Sequence, residues 1–125
     1  SRGIDAAPSI ISNIKAQGKL PETIVVSLIT NWRNVTEGSF DAIVNAAGPG
    51  HKFIFVTGYC GPTYPRDSQN TVLKNYVSSH SNTWLADWHA IASNDWSLMY
   101  SDRIHLNPAG REAYANLIVD VLGAI

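Results

Sequence analysis

Asp102 and His105 stand three residues apart, just ahead of an Asn107-Pro108 helix start. In one turn of such a loop the carboxylate can reach the imidazole. A carboxylate on one ring nitrogen fixes the tautomer and leaves the other nitrogen as a base, which is the orienting half of a Ser-His-Asp triad. Asn31 follows a β-branched run, and a side-chain amide at a strand end can donate its N–H to an oxyanion developing during acyl transfer. Each residue also has a plainer reading. His105 can be a structural hydrogen-bonder near a helix start, and Asn31 a turn asparagine that satisfies its own loop.

The elements around these residues alternate. Ile4 to Gln17 reads as a helix, with Ile10, Ile11 and Ile14 at helical spacing, Pro8 in the first turn and Gly18 as the stop. Thr23 to Ile29 is a nearly continuous β-branched run, the pattern of a strand covered on both faces. Thr36 caps a helix to about Ala47, and Lys52 to Thr57 is a second buried strand. After a Gly-, Pro- and Tyr-rich loop over 58–65, Asp67 or Ser68 opens a helix carrying Val72, Leu73, Tyr76 and Val77. Thr83 to Asp87 is a short third strand, followed by a short helix over 88–92. In the last helix Asn107 is the N-cap, Pro108 the first residue, and Tyr114, Leu117, Ile118, Val121 and Leu122 the apolar stripe.

Strands that alternate with helices imply an α/β fold: a three-layer α/β/α, flavodoxin-like parallel sheet. A chain that opens on a helix leading into a buried strand is expected to lack the sheet's first strand. In such sheets function lies at the carboxyl ends of the strands. Ser27 to Trp32, Thr57 to Cys60, and the loop holding Asp102 and His105 all fall there.

The combination resembles the SGNH (GDSL-like) hydrolase superfamily. The matching stretches are Val25-Val26-Ser27-Leu28-Ile29-Thr30-Asn31, Leu85-Ala86-Asp87-Trp88 and Asp102-Arg103-Ile104-His105-Leu106-Asn107-Pro108-Ala109-Gly110. Within the superfamily the chain most resembles the serine-dependent domain appended to bacterial membrane acyltransferases that O-acetylate cell-wall glycans (acyltransferase family 3 fusions). The resemblance spans residues 1–125 as a single domain fragment. It implies a serine nucleophile activated by His105, with Asp102 orienting the ring and Asn31 sharing the oxyanion hole with backbone N–H groups. It further implies an acyl ester donor, a glycan acceptor such as peptidoglycan, no cofactor, and a cell-surface location beside a membrane acyltransferase domain of the same polypeptide. Ester hydrolysis by the same residues, or glycan binding without catalysis, are the alternatives.

Two departures from the family pattern stand out. The family's nucleophile lies in a Gly-Asp-Ser block, absent from these 125 residues and expected upstream of Ser1. The family usually has glycine two residues before the asparagine, where this chain has Ile29. Ser27 is expected inside a strand and buried. Ser97 and Ser101 lie near Asp102 without the strand-to-helix turn that presents a nucleophile.

Composition narrows the remaining classes. Apolar residues make up 45% and charged residues 15%, enough for a real core. The net charge is −1 with dispersed signs, so no basic patch for nucleic acid is expected. No apolar run approaches the ~20 residues of a membrane-spanning helix. The single Cys60 makes neither an internal disulfide nor a zinc cluster and is expected to be a buried small residue. His51, His80 and His89 lack metal-ligand spacing, and no phosphate-cradling loop is found, which removes a flavodoxin-like anion binder. Trp32, Tyr59, Tyr64, Trp88, Trp96 and Tyr100 concentrate in the loops at the active end, where they can stack on sugars or cover a small core. A sheet short of one strand exposes an edge that can pair with another chain.

Overall fold

The computed structural model of the chain describes residues 4–27 and 34–125. Helix α1 (Ala7–Ala16) follows a short 3-10 turn (Ile4–Ala6) and leads into β1 (Thr23–Val26). Then come α2 (Glu37–Ala47), β2 (Lys52–Val56), α3 (Asp67–Ser79), β3 (Thr83–Ala86), α4 (Trp88–Ala92) and α5 (Pro108–Ala124). The three strands form one parallel sheet in the order β1-β2-β3, with Ile24 opposite Phe53 and Phe53 opposite Thr83. The element order and the parallel sheet are those expected from the sequence.

Side chains alternate across the sheet, so each face has its own core. Ile24, Val26, Phe53 and Phe55 point toward α1, α2 and α3, where they meet Ile11, Phe40, Ile43, Leu73 and Tyr76. The rings of Phe40 and Phe55 pack edge-to-face with centroids 5.3 Å apart, and Tyr76 closes the cluster from α3. Tyr76 donates its hydroxyl to Asp41 Oδ1 at 2.9 Å, and burial together with that carboxylate raises its pKa. Ile54, Val56 and Ala86 point the other way, toward Trp88 and Ala92 of α4 and the half-buried Tyr114, Leu117 and Val121 of α5. These are three layers, helices on both faces of a parallel sheet.

Five expectations need correction. The first strand ends at Val26 rather than reaching Ile29, and Leu28 and Ile29 lie outside the described residues. It is not covered on both faces: Ile24 and Val26 are buried, but Val25 is 41% exposed. Ser27 therefore sits just past the strand and is exposed rather than buried. Of the α5 stripe, Tyr114, Leu117 and Val121 are half-buried against the core of that face, and Leu122 is exposed. Cys60, expected to be buried, is half-exposed in the loop after β2. Among the described residues no helix is long and apolar enough to cross a membrane.

The aromatic core on the α1–α3 face sets the stability of the sheet. Phe40 is fully buried, so Phe40→Ala should destabilise the chain by about 3–5 kcal/mol, read from the denaturant midpoint at unchanged slope.

Candidate functional site

Residues 99–106 form a tight reversal between β3's side of the fold and α5. Met99 and Leu106 pair as an antiparallel bridge. Inside it, the Tyr100 N–H donates to the His105 carbonyl and the Arg103 N–H to the Tyr100 carbonyl, both at 2.9 Å. Asn107 anchors the far end. Its Oδ1 accepts from the Gly110 N–H at 2.9 Å, and its Nδ2 donates to the Ser97 carbonyl at 2.7 Å. Gly110 is required here: a Cβ on it would stand 1.9 Å from the Leu98 carbonyl oxygen.

Within this reversal Asp102 and His105 meet as expected. Asp102 Oδ2 lies 2.6 Å from His105 Nδ1. Asp102 Oδ1 accepts from the backbone N–H groups of Ile104 at 2.9 Å and His105 at 3.1 Å. The hydrogen bond with the His105 side chain is the main reason its pKa falls from 3.8 to about 2, and the two backbone donors add to it. A carboxylate that takes Nδ1–H leaves Nε2 as the free base position. The His105 side chain is 77% exposed, so the ring faces solvent rather than the interior.

A cavity of about 310 Å³ is lined by Ser27, Thr57, Tyr59, Trp88 and Tyr114, and by Ile104 and Leu106, the residues on either side of His105. Ser27 shares a hydrogen bond with Tyr114; burial raises the pKa of that phenol and the bond works against the rise. No serine hydroxyl bonds to Nε2 of His105 among the described residues. The Ser97 hydroxyl is turned to Asp95 Oδ1, at 2.5 Å. Asn31, expected in the oxyanion hole, and Trp32 lie outside the described residues.

Two sets of contacts that sequence reasoning missed hold the loops around the cavity. Asn70, buried on α3, accepts from the Gly58 N–H with Oδ1 and donates to the Gly58 carbonyl with Nδ2, both at 2.8 Å. This reciprocal amide pair fixes the chain as it leaves β2. A signal was present: asparagine is a poor interior helix residue, yet Asn70 shares a helix face with Leu73 and Val77. The second set centres on Thr57, whose Oγ1 donates to Asp87 Oδ1 and accepts from the His89 N–H, each at 2.9 Å. It ties the end of β2 to the start of α4. Gly61, at φ +71°, then brings the loop against the reversal, where a Cβ would stand 3.3 Å from the Arg103 carbonyl oxygen. Among the described residues no three His, Cys, Asp or Glu side chains converge as metal ligands.

No family model matches the chain. Over 122 residues, 95% of the chain, it is 26% identical to the O-acetyltransferase OatA of Staphylococcus aureus strains NCTC 8325 and COL. That span is 19% of those proteins, so the chain spans about a fifth of the length of the curated relatives it matches. Among solved structures it superposes on the C-terminal catalytic domain of Streptococcus pneumoniae peptidoglycan O-acetyltransferase A, solved with a methylsulfonyl adduct. The TM-score is 0.81 at 24% identity, covering 99% of this chain and 76% of that one. The Talaromyces cellulolyticus carbohydrate esterase of family 3 gives 0.76 at 19% identity, covering 100% and 70%. The family 3 carbohydrate esterase of Clostridium thermocellum gives 0.72 at 19%, covering 98% and 68%. The chain is thus homologous to the staphylococcal O-acetyltransferase and shares the α/β fold of these three solved domains.

Proposed function

We propose that this chain is the histidine-bearing part of a serine-dependent O-acyltransferase that acetylates a cell-surface glycan such as peptidoglycan. The observation that carries the reading is the 2.6 Å contact between Asp102 Oδ2 and Nδ1 of a solvent-facing His105. The names of the staphylococcal and pneumococcal relatives support the transfer of an acetyl group.

In this reading a serine from an upstream segment of the same polypeptide gives its proton to His105 Nε2 as its oxygen attacks the acyl carbonyl. His105 then returns the proton to the leaving alcohol, and an acyl-serine remains. A sugar hydroxyl, deprotonated by the same nitrogen, takes the acyl group and frees the serine. Asp102 remains ionised throughout, and the Asn31 amide would donate to the oxyanion. About a quarter of the pneumococcal domain has no counterpart in this chain, which leaves room for a strand carrying the serine. An apolar groove of about 340 Å³ between α1 and β1, lined by Ile11, Ile14, Ile24 and Val25 among others, is where such a strand would lie. The membrane acyltransferase domain of the same polypeptide and a location outside the membrane follow from the same reading. An exposed β1 edge left unfilled would pair with another chain instead.

The likeness to two carbohydrate esterases favours a second reading, hydrolysis of an O-acetyl sugar by the same residues. Product analysis separates them: with an activated acetyl ester and an oligosaccharide, the full-length protein should yield acetylated sugar, and free acetate alone would establish the esterase.

His105→Ala in the full-length protein should lower turnover about 10²–10⁴-fold, as expected for loss of a general base. The ring is exposed, so the unfolding midpoint should stay put, and a variant that retains near-normal turnover would sink the assignment.

The low Asp102 pKa has a defined sign. A carboxyl depressed in the fold holds its turn fully above its ordinary 3.8 and loses that hold as pH falls through about 2. The carboxyl carbon of Asp102 should therefore titrate by NMR near 2, and the acid limb of the pH–rate profile should not follow it.

A further inference from the structure

The aromatic residues at the active end divide into those that pack and those that stay open. Trp88 and Tyr59 are buried in the α4–α5 core, whereas Tyr64, Trp96 and Tyr100 are exposed. Trp96 and Tyr59 meet at a cavity of about 320 Å³ whose walls also include Cys60, Gly61, Asp67 and His89. That volume stands at the small end of ligand sites and suits one sugar ring. The cavity lies against the reversal that carries His105. A Cβ on Gly61 would stand 3.3 Å from the Arg103 carbonyl oxygen and 3.6 Å from the Ile104 side chain, and Tyr59 also lines the cavity flanked by Ile104 and Leu106.

The walls combine two kinds of surface. The Trp96 Nε1–H donates to the Tyr59 hydroxyl at 2.7 Å, which commits the indole's one donor and leaves apolar ring surface for a ligand. Arg103 lies over one face of the indole, 3.6 Å from its centroid, and Trp96 is still 41% exposed. Asp67 supplies the polar part. Its Oδ1 lies 3.3 Å from His89 Nε2 and its side chain is 77% exposed, so further carboxylate lone pairs are open to hydroxyl donors. Tyr59 packs edge-on against the His89 ring, with centroids 5.6 Å apart, and so steadies the imidazole that meets Asp67. Arg66, also in the wall, donates to the Tyr64 and Pro65 carbonyls at 3.2 and 3.3 Å. A pyranose presents apolar C–H groups on its faces and hydroxyls around its rim. An aromatic surface beside a carboxylate matches both parts, and the ionised acid disfavours an anionic ring.

We propose that this cavity is an acceptor subsite: it binds a neutral pyranose of the glycan, next to the ring that is acylated. Trp96 lies against that pyranose and Asp67 accepts from its hydroxyls. The proposal rests on the glycan-directed reading of the site, and it adds where the acceptor chain is held and which sugar class is taken. Binding energy from a ring that does not react then positions the hydroxyl that does.

The test uses the full-length protein and one neutral probe, tri-N-acetylchitotriose. Calorimetry should show binding by the wild type, and Asp67→Ala should weaken it about tenfold or more, the range of one charge-assisted hydrogen bond. Cys60 provides a footprint on the unaltered protein, because it lines the cavity and is half-exposed. At about ten times its Kd the trisaccharide should slow alkylation of Cys60 by iodoacetamide about tenfold, read by mass spectrometry of the peptide that carries it. No binding of the trisaccharide, binding untouched by Asp67→Ala, or alkylation of Cys60 at the same rate with sugar bound would overturn the proposal. Release of nitrophenol from 4-nitrophenyl acetate, with no sugar present, tests the acyl-transfer reading by itself. Turnover with Cys60 unprotected removes the subsite alone. Protection without turnover removes the enzyme and leaves a glycan-binding site.

Discussion

One carboxylate organises the end of the molecule where chemistry would occur. Asp102 accepts three hydrogen bonds at once, two from backbone N–H groups and one from the imidazole. The backbone pair bends the chain back so that His105 returns over Asp102, and the same bend sets the ring nitrogen that receives the charge. Tautomer and turn are therefore a single feature. Because each of the three donors lies within three residues of the acceptor, the geometry is local. What the rest of the fold supplies is a fixed platform, through the Met99–Leu106 bridge at one side and the Asn107 cap at the other.

The platform relies on polar contacts at the strand ends as well as on the packing of Leu98, Met99 and Leu106 against the α4–α5 core. Thr57, Asp87 and the His89 N–H lock β2 to α4, and Asn70 holds both backbone groups of Gly58. Buried polar groups are tolerable when every partner is present, and no buried side-chain N or O among the described residues lacks one. Asparagine within a helix is disfavoured locally, and its amide is repaid by the loop it fixes. Gly61 and Gly110 allow loop and helix to approach the reversal closely.

Much of this was legible in the sequence because it is encoded by short-range rules. The βα alternation, the Asn107-Pro108 cap and the Asp102–His105 spacing each depend on residues within one turn of one another, and each appears in the structure. The misjudged positions depend on what covers a surface. Val25 and Leu122 are apolar and read as core, but their exposure is set by neighbours distant in sequence. Ser27 followed the same error, since a continuous apolar run says nothing about where strand pairing stops. Asn70, Thr57 and the Trp96–Arg103 stack join residues between 7 and 32 positions apart, and a local pattern can flag one member, as at Asn70, without naming its partner.

The open surface and the cavity at the reversal share a face of the sheet. Val25 is paired with Ile54 in register, so it points to the side that α4 and α5 cover, and the cavity between Ser27, Ile104 and Tyr114 lies at the end of that same side. Val25 is exposed there, while the α1–α3 face is closed by its aromatic core. A strand and helix added along β1 would extend the sheet in the parallel sense and cover this flank. The carboxyl end of that strand would then arrive next to Ser27, within the neighbourhood of His105. Burial of the Val25 side chain would contribute on the order of 1.5–3 kcal/mol. Completion of the core and delivery of a nucleophile would thus be the same event, with stability and activity rising together.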